Sequence, residues 1–388
     1  VLAVTGCKSD FLDTVPRNAV SSSNIWTSST LAKRAVAGVY NSFVSWYAAG
    51  YANNAGRIWD AYSSVMDIDL NWISQNSLVR GTATPSNSQF SNFYTFSYTM
   101  VNRANDVIAN IGSVPDMSEA DKARYIAECK FLRAWAYNYL NITFKGVPII
   151  TDPIATEEDA KTPRSSEADT WNQVLSDLTD AINESNLPNK YNASDANYGH
   201  VTKGAAYALR GQVYLILEKW QEAANAFKEV GDCGYSLFTT GGRVAFKNLL
   251  KRQNAQCDEM VFSIQCEQYS VVNPLNVNYG NRCTGGSMWN NYLPNPHFVE
   301  SFESSDGTPF EWDNYCPGYN TMTPLQRSVF FLRDGMTQAE IDKMQTYGAD
   351  MSKYLPAGNE ERIRKAYEDR DPRLMMSIIT PYSTYLGS

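Results

Sequence analysis

The sequence predicts a mainly α-helical protein: an array of helical hairpins followed by a loop-rich stretch with a short strand. Three observations carry this. Apolar residues recur at helical spacing in several separate stretches. One helix pair carries the residue spacing of a tetratricopeptide (TPR) unit. Residues 268–330, in contrast, mix Asn, Pro, Gly and aromatic residues with little period.

The 388 residues are enough to bury a large core, and no stretch is long and apolar enough to be a transmembrane helix. A net charge of −8 leaves no electrostatic footprint for nucleic acid. Seven cysteines are scattered without a C-x-x-C pair, which argues against a zinc site and leaves disulfides and free thiols equally open. Aromatic residues make up 13% of the chain, with 9 Trp and 24 Tyr. That exceeds what a helical core needs, so some rings are expected to face solvent or ligand.

The chain begins VLAVTGC, an order of aliphatic, small, Gly and Cys residues like a bacterial lipoprotein cleavage site. Residues 1–7 then read as the end of a signal peptide with Cys7 as the acylated residue. Residues 8–22, with Pro16 and no period, read as a tether, and 23–388 as one domain. LAKRAVAGVYNSFV (31–44) has helical spacing, and residues 45–97 read as irregular. A helix follows around YTMVNRANDVIANI, ending near Gly112 and Pro115.

In SEADKARYIAECKFLRAWAYNYLNITFKGVPII, Ser118 and Asp121 form a capping pair. Tyr125, Cys129, Leu132, Ala136 and Tyr139 make one apolar stripe, and Phe131 with Trp135 a second. A helix apolar on two faces is packed between neighbours. TWNQVLSDLTDAI has a single stripe closed by Leu187-Pro188. In AAYALRGQVYLILEKWQEAANAFKEV, Gly211, Tyr214, Ala223 and Phe227 match the TPR spacing. Gly211 and Ala223 are expected where the two helices touch, since larger residues would wedge them apart. Trp135, Trp171 and Trp220 read as core, and Glu259–Gln265 as a short strand.

Enzyme chemistry finds little support. There are only two histidines, His200 and His297, and no His/Cys cluster with metal spacing. Asp67-Ile-Asp69-Leu-Asn71 starts like a calcium loop, but Trp72 and Leu78 stand where Gly and Glu are required. Loop carboxylates such as Glu303, Asp306, Glu311 and Asp313 read as solvated acids. A glycosidase would need two of them facing each other across a sugar.

Binding has better candidates. Sugars present flat C–H faces and hydroxyl rims, which suit rings flanked by short polar side chains. MDIDLNWISQN sets Trp72 beside Asp69 and Asn71, GGSMWNNYLPNP sets Trp289 and Tyr292 beside Asn290 and Asn291, and FEWDNYCPGY offers Trp312.

Several blocks in order resemble the SusD/RagB family of outer-membrane nutrient-binding lipoproteins. They are Cys7 with FLDTVP, LAKRAVAGVYNSF, FLRAWAYNYLNITFKGVPII, WNQVLSDLTDAI, VTKGAAYALRGQVYLILEKWQEAANAF, EMVFSIQ, PNPHFVESFESSDG and DPRLMMSII. The resemblance implies a cell-surface lipoprotein on the outer membrane, anchored through Cys7. It would pass oligosaccharides or peptides to a SusC-like TonB-dependent transporter. The fold implied is SusD-like, with TPR-type helices mainly in 31–44, 98–140 and 170–230 and a ligand-binding lobe from 45–97 and 268–388. An early loop near Trp72 would contribute a ring to the platform. A helical hairpin is also implied beyond the DPRL block, and Ser388 is reached before one.

The expected function is therefore non-catalytic glycan binding, with no cofactor implied and a structural calcium left open. The alternatives are a peptide receptor of the same uptake type, an α-helical glycosidase, and a protein-binding TPR scaffold.

Overall fold

The computed structural model describes residues 24–43, 59–68, 76–264 and 290–384. These fall into two compact units. The first draws on 24–43, 85–237 and 258–264, the second on 59–68, 76–84, 238–257 and 290–384. Labels below are given to helices of nine residues or more.

The first unit is a series of helices: α1 (Ser29–Tyr40), α2 (Ser88–Asn110), α3 (Glu119–Phe144), α4 (Glu167–Asn183), α5 (Lys203–Ile216) and α6 (Trp220–Asp232). Sequential neighbours pack together, as in a repeat array. The N-termini follow from short polar caps: the hydroxyls of Ser28, Ser118, Ser166 and Thr202 each accept a hydrogen bond from a backbone N–H in the first turn. At the far end of α3, Lys145 and then Gly146 adopt left-handed φ of 57° and 99°. A Cβ on Gly146 would lie 2.5 Å from the Ser165 carbonyl oxygen, so glycine is required there on two counts.

Helix α3 is the centre of the unit, and both of its apolar stripes are buried as the spacing implies, apart from the half-buried Tyr139 near its end. It also buries charged residues, each of them paired. Arg133 makes a two-pronged pair with Asp177 of α4 (2.8 and 2.7 Å) and donates to Asn105 of α2 (2.8 Å). Glu128 accepts from Arg124 (2.7 Å) and Tyr40 (2.8 Å) and contacts His200 (2.8 Å). These contacts tie four helices and a loop into one register.

Three expectations are corrected in this unit. Helix α2 begins at Ser88, inside the span read as irregular, because its buried face there uses Gln89, Phe93 and Ser97 and so shows no apolar period. Trp220 is 63% exposed rather than core, since it opens α6 at the hairpin corner and only Ala223 and Ala226 of that helix are buried. Residues 259–264 form no strand; Phe262 instead packs its ring edge-on against Phe131, at 5.3 Å.

The second unit holds the only strands among the described residues, β1 (Met66–Asp67) and β2 (Leu293–Pro294), which pair antiparallel. Its helices are short, with α7 (Gln338–Thr346) and α8 (Asn359–Glu368) the longest. Its core is aromatic, built on Phe310, Trp312, Tyr319, Phe330 and Tyr367 with Ile363 and Leu374. Arg370 is buried beneath it, its guanidinium 3.4 Å from the Phe310 ring centroid. It donates to the carbonyls of Val299 (2.7 Å) and Phe302 (2.6 Å), closing the C-terminal end of the short helix Pro296–Glu300. Burial lowers its pKa to about 10, which still leaves it charged at neutral pH.

Candidate functional site

The two strands of the second unit bring together sequence segments more than 220 residues apart. Met66 faces Pro294 and Asp67 faces Leu293, so the C-terminal end of β1 lies beside the N-terminal end of β2. These are the ends from which the two candidate ring-bearing segments depart, one after Ile68 and one before Asn290. Asp69, Asn71, Trp72 and Trp289, like Cys7, lie outside the described residues.

Asn295 holds this junction. Its N–H donates to the Val65 carbonyl (2.9 Å), and its side-chain amide to both Asp67 carboxylate oxygens (3.1 Å each). Its side-chain oxygen meanwhile accepts from His297 N (2.9 Å) and Phe298 N (3.4 Å), capping the helix Pro296–Glu300. Pro at the first helical position suits that start, because it has no N–H to leave unpaired. A second asparagine works at the base of the early segment: the buried Asn76 amide donates to the Ile68 carbonyl (2.8 Å), pinning the two ends of residues 69–75 together. Three residues before β2, Asn290 has a left-handed φ of 51°, a conformation asparagine tolerates better than most residues.

Beside the ribbon lies a cavity of about 500 Å³. Met66 and Leu293 contribute from the strands, Phe298 from the short helix, and Ile378 and Ile379 from the segment after Ser377. Tyr292 belongs to its wall, 5% exposed, and is not a ring standing free on the surface. Burial pushes the nearby Tyr62 phenol above its usual range, with Tyr292 adding to the shift, so Tyr62 stays protonated at neutral pH.

Trp312 is placed elsewhere. It is 7% exposed and enclosed by Phe310, Tyr319, Phe330 and Tyr367 at centroid distances of 4.7 to 5.9 Å. Its indole N–H donates to Glu300 (2.8 Å). A ring covered on all sides offers a ligand no face, which corrects its reading as a platform residue.

Sequence reasoning missed Asn295, Asn76 and the 377–379 segment. The Asn-Pro dipeptide at 295–296 is a helix-start signal that could have pointed to the first. No local signal marks the others, because their role comes from long-range pairing. Among the described residues no group of three His, Cys, Asp or Glu side chains is placed to hold a metal ion. Asp306 is held below the usual carboxylate range by the Thr308 hydroxyl and N–H, the opposite of what a glycosidase acid needs. No described helix is long and apolar enough to cross a membrane.

Comparison with known proteins gives a consistent picture. A family profile described as "Starch-binding associating with outer membrane" matches residues 10–215, and one described as "SusD family" matches 258–388. A SusD-like protein of Bacteroides ovatus is 25% identical over 334 residues, covering 79% of this chain and 56% of the relative. The chain spans about half the length of the curated relatives it matches. Among solved structures, a SusD-like protein of Bacteroides fragilis covers 91% of this chain and 61% of its own at 22% identity and a TM-score of 0.64. A SusD-like carbohydrate binding protein of the same species covers 75% and 56% at 24% identity and a TM-score of 0.65. At these identities the structural matches establish the fold.

Proposed function

Since the chain belongs to the SusD family, we propose that it is a non-catalytic receptor that captures an oligosaccharide at the cell surface and passes it to a SusC-like TonB-dependent transporter. It acts there as an outer-membrane lipoprotein anchored through Cys7. The ligand platform is formed by Asp69, Asn71 and Trp72 from the early segment and Trp289 from the late one. The observation that carries this reading is the register of β1 and β2, which sets the departure points of both segments side by side. Recognition is rigid: Asn295 and Asn76 hold the bases of the loops before ligand arrives, which reduces the ordering that binding must supply. Rings provide stacking area, and the flanking Asp and Asn select among hydroxyl patterns.

The test is affinity electrophoresis against a polysaccharide panel, with calorimetry on any hit, comparing wild type with Trp72→Ala and Trp289→Ala. Retardation by at least one polysaccharide is expected, and each substitution should weaken it about tenfold or more, the equivalent of 1.4 kcal/mol or above, with unchanged circular dichroism. Binding of peptides and of no polysaccharide would replace the glycan with a peptide ligand. Full binding by both variants would remove the platform.

A further inference from the structure

We infer that the cavity beside the β1–β2 ribbon is a separate subsite that takes an uncharged apolar group, such as an aromatic or branched acyl substituent carried by the captured glycan. The glycan reading enters only in saying what carries the group; the cavity argument stands on its own residues.

A cavity of about 500 Å³ falls within the usual range for small-molecule clefts. Its described walls are chiefly Val65, Leu293, Pro294, Phe298, Ile378 and Ile379. Asp60, Asn290 and Ser377 supply the only polar side chains of the described lining apart from the Tyr292 hydroxyl. A bare pyranose is a poor occupant. It carries hydroxyls around its whole rim, and each one buried without a partner is penalised. An anion is poorer still: the described lining holds the Asp60 carboxylate and no Lys, Arg or His, and the chain as a whole carries a charge of −8. The largely aliphatic and aromatic walls favour a neutral group, whose water-exposed apolar surface is exchanged for them.

The cavity is also held open by structure independent of any ligand. Two walls belong to strands locked by Asn295, and a third to the helix that the same residue caps. The wall formed by Ile378 and Ile379 follows the helix Pro372–Ser377, whose N-terminus is capped by Asp371.

Titration of the whole chain with 2-naphthol, neutral at pH 7, tests this by calorimetry. Saturable binding at one site is expected, with a dissociation constant below about 1 mM, as efficiencies of small ligands permit. Naphthalene-2-sulfonate, the same ring with a charge, should bind at least tenfold more weakly. Ile379→Asp, at a partly exposed position of the wall, should weaken 2-naphthol at least tenfold without moving the melting temperature. Ile379→Ser serves the same purpose if the aspartate variant does not fold. Trp220→Gln, at an exposed ring of the first unit, should change nothing. Absence of saturable binding, equal affinity for the sulfonate, or loss with Trp220→Gln in place of Ile379→Asp would overturn the inference. None of these readouts involves a polysaccharide, so failure here leaves the electrophoresis result intact, and the reverse holds as well.

Discussion

Replacing Gly211 with alanine sets two effects of known size against each other. Glycine in a helix interior is worse than alanine by about 1 kcal/mol, so the substitution should stabilise α5 taken alone. The new Cβ would however stand 2.6, 2.8 and 2.8 Å from ring carbons Cε1, Cδ1 and Cζ of Phe227 on α6. Ordinary carbon contacts begin near 3.5 Å, so ring or helix must move by most of an ångström. Overpacking of this kind costs about 1–3 kcal/mol. Phe227 is 38% exposed, so its ring can swing toward water and the lower half of that range applies. The net expectation is destabilisation of up to about 1 kcal/mol. In a Phe227→Ala background the obstacle is gone and the propensity term stands alone, so the same substitution should stabilise by about 1 kcal/mol. Urea unfolding of the four proteins, followed by far-UV circular dichroism, reads this directly as a double-mutant cycle. An effect of the same sign and size in both backgrounds would show that Gly211 is not there to admit Phe227.

Asp177→Asn leaves the buried Arg133 guanidinium without its charge partner and should lower stability by about 3–5 kcal/mol; a loss under about 1 kcal/mol in urea unfolding would refute the buried-pair argument. Trp171, 3% exposed, and Trp220, 63% exposed, should separate cleanly. Trp171→Ala is expected to cost about 3–5 kcal/mol and Trp220→Gln to stay within about 0.5 kcal/mol, again by urea unfolding. Glu340 caps α7 together with Thr337, whose N–H, followed by the Arg333 guanidinium and the Thr337 hydroxyl, lowers the Glu340 carboxyl from the usual 4.5 to about 2. A lowered folded-state pKa means that its stabilisation is complete above pH about 4.5 and is lost as pH falls toward 2. A side-chain NMR titration should give a midpoint near 2, and Glu340→Gln should flatten the stability profile over that interval; a midpoint near 4.5 would refute it.

The helical half was legible wherever packing uses apolar residues alone. The two stripes of α3, the single stripe of α4 and the close approach of the next two helices at Gly211 all follow from spacing, because a helix of fixed pitch converts spacing into faces. Legibility failed where burial is polar or local context is thin. The first turns of α2 bury Gln89 and Ser97, which no hydrophobic count detects. Trp220 reads as core by size, yet its position at the start of α6 turns it outward. For the site, composition singled out two segments, but not that their ends are neighbours: that depends on a two-residue strand pair and on one asparagine bridging both. Trp312 was misassigned for a related reason. A ring flanked by Asp and Asn in a non-periodic stretch has the same local sequence whether it faces solvent or anchors an aromatic core.

The bond from Asn76 to Ile68 has a bearing on how ligand preference could change over time. It fixes Ile68 and Asn76, the two residues that flank 69–75, to each other through the scaffold. Lengthening a loop with fixed ends is inexpensive, about 0.6 kcal/mol for each doubling. Insertions, deletions or wholesale exchange of that segment should therefore leave the folding of the second unit nearly untouched. A protein arranged this way can sample new ring placements by simple length variation. It should also accept a segment transplanted from a relative, provided Asn76 is retained as the clasp.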